Sequence, residues 1–398
     1  MSHSNYKFLG DYEFIWGPVR KGTAESILFN FLTSGEELHN LEITAGYKKR
    51  NSKSILAGKR NLCEQILLIE RISGLHAFAA SLSYCLSIED FFGLTDKGHV
   101  NIKILRMFFA ELERIRNHIE NLSEIAESTY IVVPSALYAY YAEMLKQLSQ
   151  KFLKSRYLMN INYVGGIKKN LSLKDMENIF NSVKSTVNKV QEIIKKNMET
   201  KSHIDRLKTT GKIDLKAAKQ FKANGVAAKS AGISLDLRIK RPYLLYGELY
   251  GETNLKPAIF EDGDAFSRYM VRIEEIRQSL NILEYCYNML KKNRFSFTAD
   301  YLLSRKELEE LKEESTRLQP ADKDTKYGKH GFGYAESSEG AIFCYIKDFD
   351  GNIFKKINIK YPFESNYKLF AYGTKNTMTM DFNINEASYN FSVAALDK

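Results

Sequence analysis

The chain has 398 residues, 44% of them hydrophobic, enough to bury a large core as one big domain or two. Its net charge of +10, from 58 Lys+Arg against 48 Asp+Glu, is spread through helical stretches such as Lys184 to Lys201 without the interleaved aromatics of a nucleic-acid motif, so a solvated basic face and no nucleic-acid partner are expected. No uncharged apolar run reaches the roughly eighteen residues of a membrane span, MSHSNYKFLGDYEF lacks the apolar core of a signal peptide, and Cys63, Cys85, Cys286 and Cys344 form no CxxC or CxxH pair. A cytoplasmic chain without zinc or disulfides is expected.

From about Tyr6 to Tyr47 the texture is β: ESILFNFLTS and LHNLEITAGY alternate apolar and polar residues around the turn GEE. Asn61 to Asp90, NLCEQILLIERISGLHAFAASLSYCLSIED, repeats apolar and small residues at helical spacing with no proline, which predicts one long buried helix. Ser73, His76, Ala80 and Tyr84 then share a face, and their polar groups need partners, whether structural or functional. Asn101 to Glu127 predicts a second long helix, and Val133-Pro134-Ser135 opens a third that runs to about Tyr157. Gly165-Gly166-Ile167 marks a turn, and Leu173 to Lys201 reads as an exposed, lysine-rich helix. Arg206 to Tyr246 is glycine-punctuated, irregular backbone that needs close approaches and positive φ values. After Gly263-Asp264 a last long helix carries Arg268, Arg272, Glu275 and Ser279 at a spacing that predicts structural salt bridges. Beyond Pro320, GAIFCYIKDF and IFKKINIKYP return to strands around a turn at Asp350-Gly351-Asn352.

Several of these stretches resemble one family. Glu70-Arg71-Ile72-Ser73-Gly74-Leu75-His76, with Ser81, Tyr84-Cys85 and Glu89, resembles the helix that carries the first metal-binding cysteine pair in the large subunit of nickel–iron hydrogenases. It is equally similar to the large core subunit of respiratory complex I, the D-type or 49-kDa-type subunit. Gly17-Pro18 and Glu25 resemble the family's N-terminal loop, with Arg20 and Ala24 in place of two complex I histidines. Glu111, Arg114 and His118 match ELxRxxxH, Ser128 stands where complex I has an aspartate, and Leu158 where it has a histidine. Further matches are Arg206-Leu207 with Thr210-Gly211, then Gly225 to Tyr246, then Gly263 to Ser279; Glu336 to Gly340 occupies the place of ExPRGE without its arginine. The C-terminal segment from Asp381 to Lys398 resembles the hydrogenase ending, with Ser392 and Ala395 at the second cysteine pair.

The resemblance implies an α+β, mainly α fold: a central long-helix bundle with a flanking N-terminal antiparallel β region and a C-terminal β segment. The expected division is 1–55 for the β region, 56–320 for the helical core with an irregular insert at about 206–260, and 321–398 for the β segment and former ligand tail. Ser73, His76, Ser392 and Ala395 are degenerate metal-ligand positions: thiolates suit nickel and hydroxyls do not, so no metal is expected and an active nickel–iron hydrogenase is excluded. What the resemblance implies instead is a subunit of a membrane-associated, ion-translocating oxidoreductase of the NADH-quinone type, peripheral on the cytoplasmic side. Its partners are a small subunit with a 4Fe–4S cluster, other peripheral-arm subunits and membrane subunits, and nicotinamide would meet another chain. Tyr84 and His76 are the candidate quinone-binding residues, because a phenol or imidazole can hydrogen-bond a quinone oxygen; both could equally be satisfied core residues. Arg71 is expected beside the partner's cluster, or else in an ion pair with a neighbouring carboxylate. The alternative reading of the whole chain is a catalytically silent paralogue that keeps the subunit interface alone.

Overall fold

The alternation in the first fifty residues folds as a sheet. The structure, a computed structural model, describes residues 11–19, 26–47, 49–94, 99–253, 255–295 and 330–396. Strands β1 (Asp11–Trp16), β2 (Leu28–Ser34) and β3 (Glu37–Thr44) pair antiparallel in that order, with Gly35 at φ +63° in the turn. Helix α1 (Ser52–Ala57) leads to α2 (Leu62–Ile69), which Asn61 caps by accepting from the Glu64 amide at 3.0 Å.

The long helix expected over Asn61 to Asp90 is broken. After α2 the chain passes through an extended Ser73 and a 3-10 turn, Gly74–His76, before α3 (Ala77–Phe91) sets off at 116° to α2. Ser73 is therefore not on the helical face of Ala80 and Tyr84. The group that starts α3 comes from elsewhere: the Glu113 carboxylate accepts from the Phe78 and Ala79 amides at 2.7 and 3.0 Å. It satisfies donors that a helix N-terminus otherwise leaves unpaired, and its charge sits at the favourable end of the helix dipole.

Glu113 belongs to α4 (Val100–Ser128), the centre of the molecule, buried almost all round. Against it packs α5 (Val132–Leu153) and, after the small hairpin β4 (Asn162–Tyr163) and β5 (Gly166–Ile167), the bundle is completed by α6 (Leu173–Met198). Helix α6 is exposed on one side only, since Met176, Ile179, Phe180, Val183, Val187 and Val190 form an apolar stripe facing the bundle. The glycine-rich stretch folds as short helices α7 (Lys201–Leu207), α8 (Leu215–Gln220), α9 (Gly225–Ser230) and α10 (Leu237–Lys240). Gly225, at φ +55°, lets α9 lie against the Glu339–Gly340 backbone, where a Cβ would collide. Helix α11 (Ala265–Lys292) then packs along α4 and α6.

Strands β6 (His330–Ser337), β7 (Gly340–Phe349) and β8 (Phe354–Lys360) form the C-terminal antiparallel sheet. Gly333 allows β6 to lie directly on the α3 backbone at Ser83. Two helices follow, Phe363–Gly373 and Phe382–Tyr389, separated by the short strand β9 (Thr377–Met378), which joins β3 as the fourth strand of the first sheet. Phe29 and Phe31 of that sheet meet Phe382 edge-on, with centroids 5.2 and 4.9 Å away. The architecture is α+β, mainly α, as expected.

Candidate functional site

Two short turns face one another in the interior. In one, the His76 amide donates to the Ser73 carbonyl at 3.1 Å; in the other, the Ala395 amide donates to the Ser392 carbonyl at 3.2 Å. Ser73 Oγ donates to Ser392 Oγ at 3.1 Å, across 319 residues of sequence, so the two former ligand segments do converge. Ser73, His76, Ser392 and Ala395 are all buried. Together they offer one imidazole, two hydroxyls and a methyl, a set that fits no nickel site. Among the described residues no group of three or more His, Cys, Asp or Glu side chains is placed to hold a metal ion.

His76 is the exceptional member. It is fully buried and stacks on Phe363 at 5.4 Å, yet neither ring nitrogen has a hydrogen-bond partner. Burial, reinforced by the charges of Arg116, Arg114, His118 and Arg272, holds its pKa down at about 3. The ring is therefore neutral at physiological pH, with one N–H donor and one acceptor both unspent. Such a pair costs stability unless something occupies it.

Tyr84 has the opposite character. Its hydroxyl donates to Gln65 Oε1 at 2.7 Å, and Gln65 donates in turn to the Leu56 and Phe354 carbonyls, both at 2.9 Å. The phenol thus ties α3 to α2 and β8. Eight residues, about 12 Å along a helix axis, separate it from His76. Arg71 lies on the surface at the outside of the helix break and donates to the Leu67 carbonyl of its own helix at 2.7 Å. No described carboxylate is within ion-pair distance of it. Nearby, Arg50 Nη1 donates to the Arg71 and Ile72 carbonyls, both at 3.3 Å. Of the other positions singled out, Ser128 Oγ donates to the Ile125 carbonyl at 2.8 Å, and Leu158 is buried. Arg20, Ala24 and Glu25 lie outside the described residues.

Behind this site runs a buried charge network whose burial the sequence did not disclose. Glu111 accepts from Arg114 (3.1 Å), Arg238 (3.1 Å), Tyr246 (2.6 Å) and Ser279 (2.6 Å). Glu275 accepts from Lys229 (2.6 Å), His118 (2.8 Å) and Arg114 (3.1 Å). Lys229 and Arg238 both hold Asp236, while Arg272 holds Glu339 and also reaches the Ser388 carbonyl. Burial alone would raise the Glu275 pKa; Lys229, His118 and Arg114 overcome it and hold the carboxyl well below its ordinary range. Four other carboxyls lack such compensation. Burial raises Glu70, Glu113, Glu124 and Glu336 each to about 7, poised to exchange protons near neutral pH.

A long-helix bundle between two small sheets, with two turns meeting at a buried site that has lost its thiolates, defines a large core subunit of the hydrogenase-like, energy-converting class. The comparisons agree. The model of the respiratory-chain NADH dehydrogenase 49 kDa subunit family matches residues 134–398, and the chain belongs to that family. It is 25% identical over 281 residues to the C/D protein of the NADH-quinone oxidoreductase of Hydrogenobaculum sp., covering 69% of this chain and 48% of that protein. It is 26% identical over 277 residues to the carbon monoxide-induced hydrogenase of Rhodospirillum rubrum, covering 68% and 73% respectively. The chain thus spans about half the length of the C/D relative. Among solved structures, a chain of the membrane-bound sulfane sulfur reductase, an archaeal respiratory membrane complex, shares the fold with a TM-score of 0.82 at 18% identity, over 98% of this chain and 99% of that one.

Proposed function

We propose that the chain is the peripheral large subunit of a membrane-associated, ion-translocating oxidoreductase of the NADH-quinone type. In this reading it sits on the cytoplasmic face of the membrane and receives electrons from an iron–sulfur cluster held by a small partner protein. A quinone-type acceptor is bound at His76. The carrying observation is the buried imidazole with both nitrogens unspent, at the meeting point of two turns that once bore metal ligands. A neutral imidazole can donate to a carbonyl oxygen of the acceptor, and Glu113, which caps the adjoining helix and is raised to about 7, can hold a proton for it. Tyr84 takes part only by exchanging Gln65 for the acceptor. Arg71, exposed and without a described carboxylate partner, marks the face turned to the partner's cluster. In support, no single helix among the described residues is long and apolar enough to cross a membrane, and the relatives are subunits of respiratory or hydrogenase complexes.

A second reading has an observation of its own: the Ser73–Ser392 hydrogen bond joins the two turns, and Tyr84 is already satisfied, as in a silent structural paralogue. Isolation of the native complex in mild detergent, with electron paramagnetic resonance and a quinone-reductase assay, separates the two. Cluster signals with turnover support an acceptor site. Cluster signals without turnover leave the silent paralogue, and no co-purifying cluster overturns both.

A further inference from the structure

A buried guanidinium stays charged and needs a counter-charge. Most buried arginines here have one: Arg106 pairs with Glu89, Arg114 with Glu111 and Glu275, Arg238 with Asp236, and Arg272 with Glu339. Arg268 has no carboxylate in contact, but all three of its nitrogens donate to neutral acceptors and it lies 4.5 Å over the Tyr389 ring.

Arg116 differs. It is 2% exposed, and its Nε and Nη2 are spent on Asn117 Oδ1, with Nη2 also reaching the Leu75 carbonyl at 3.3 Å. These are neutral acceptors. Nη1 has no partner, and the nearest described carboxylate, Glu113, lies 4.0 Å away with both oxygens committed to the Phe78 and Ala79 amides. A cation–π contact with Tyr157 at 5.4 Å attenuates the charge and does not neutralise it. The position is telling, because Leu75 directly precedes His76, and Arg116 is the strongest of the charges that act on His76. One locus therefore holds an uncompensated cation with a free N–H donor and an imidazole with both nitrogens free.

We infer that this locus binds a small anion, or the anionic head of the electron acceptor, through Arg116 Nη1 and an N–H of His76. The inference rests on the acceptor reading above and makes its chemistry specific: the ligand carries negative charge and at least two lone-pair atoms, as a sulfur oxyanion does. A neutral quinone has the lone pairs and leaves the guanidinium uncompensated.

The test uses the native complex in mild detergent, with thiosulfate as the anionic probe and ubiquinone-1 as the neutral one, by equilibrium dialysis at an ionic strength that screens the basic surface. Saturable thiosulfate binding at about one site per complex is expected, weakened roughly tenfold or more by Arg116→Gln and largely retained by Arg116→Lys. If wild type binds ubiquinone-1 at His76 and shows no saturable thiosulfate binding, the anion proposal falls and the acceptor reading stands. If neither probe binds, the acceptor reading falls with it. Thiosulfate binding indifferent to both Arg116→Gln and His76→Phe also overturns the proposal. The wild-type arms decide the matter even if Arg116→Gln does not assemble.

Discussion

Glu113 links the broken helix to the chemistry of the site, and its replacement by glutamine isolates that link. The carboxylate is fully buried, caps two amides of α3, and has its pKa raised by burial from the ordinary 4.5 to about 7. A raised carboxyl pKa means that its contribution is fully present below 4.5 and is lost as pH rises through about 7. At about 1.4 kcal/mol per unit, that interval is worth roughly 3 kcal/mol of pH-dependent stability. Glu113→Gln abolishes the titration and adds a constant cost, because its amide nitrogen faces a backbone N–H. The stability difference between wild type and Glu113→Gln should therefore move in the variant's favour by roughly 3 kcal/mol between pH 4.5 and 8. For a chain of 398 residues that is about 4 °C in Tm. Thermal melts of both proteins at four pH values across this range measure it. A Tm difference that does not change with pH would refute the assignment of a raised pKa to the capping carboxylate.

Three further outcomes follow from the packing. Lys229→Met strands Glu275 and Asp236 without their shared ammonium, and should cost about 3–5 kcal/mol, read as a large drop in Tm or loss of soluble protein. Gly333→Ala drives a methyl into the Ser83 carbonyl and should cost at least about 1–3 kcal/mol, with the denaturation midpoint as the readout. His76→Phe removes two unsatisfied nitrogens while keeping an aromatic ring against Phe363, so Tm should hold or rise, by up to about 1–2 kcal/mol of added stability. A marked fall in Tm would mean that the imidazole is not orphaned.

The β2–β3 hairpin and the β7–β8 pair were legible because alternation and a turn signature are local: GEE and Asp350-Gly351-Asn352 each sit between strands of the expected content. The helices α4 and α11 were legible from period and length. The break between α2 and α3 was not, because the group that starts α3 lies on α4, 35 residues beyond the amide it caps. Nothing in ERISGLHAF names it. The charged positions of α11 pointed to salt bridges, and salt bridges they make, but their burial depends on Lys229, Asp236 and Glu339 arriving from other elements. The available signal was a pair of apolar helices carrying complementary charges at i, i+3 and i+4: Glu111, Arg114 and His118 on one, Arg272 and Glu275 on the other. At the site, resemblance placed Ser73 and Ser392 together, and the fold joins them. It could not tell that Gln65 satisfies Tyr84 while nothing described satisfies His76. That distinction lives in side-chain partners, which the spacing of a helical face does not encode.

The most direct test of the account compares acceptor-dependent turnover of the detergent-purified complex carrying wild type or His76→Phe, at matched iron–sulfur content by electron paramagnetic resonance. The account predicts that turnover is lost in the variant while cluster signals, the set of co-purifying proteins and Tm are kept. Unchanged turnover in His76→Phe would contradict an acceptor site at His76.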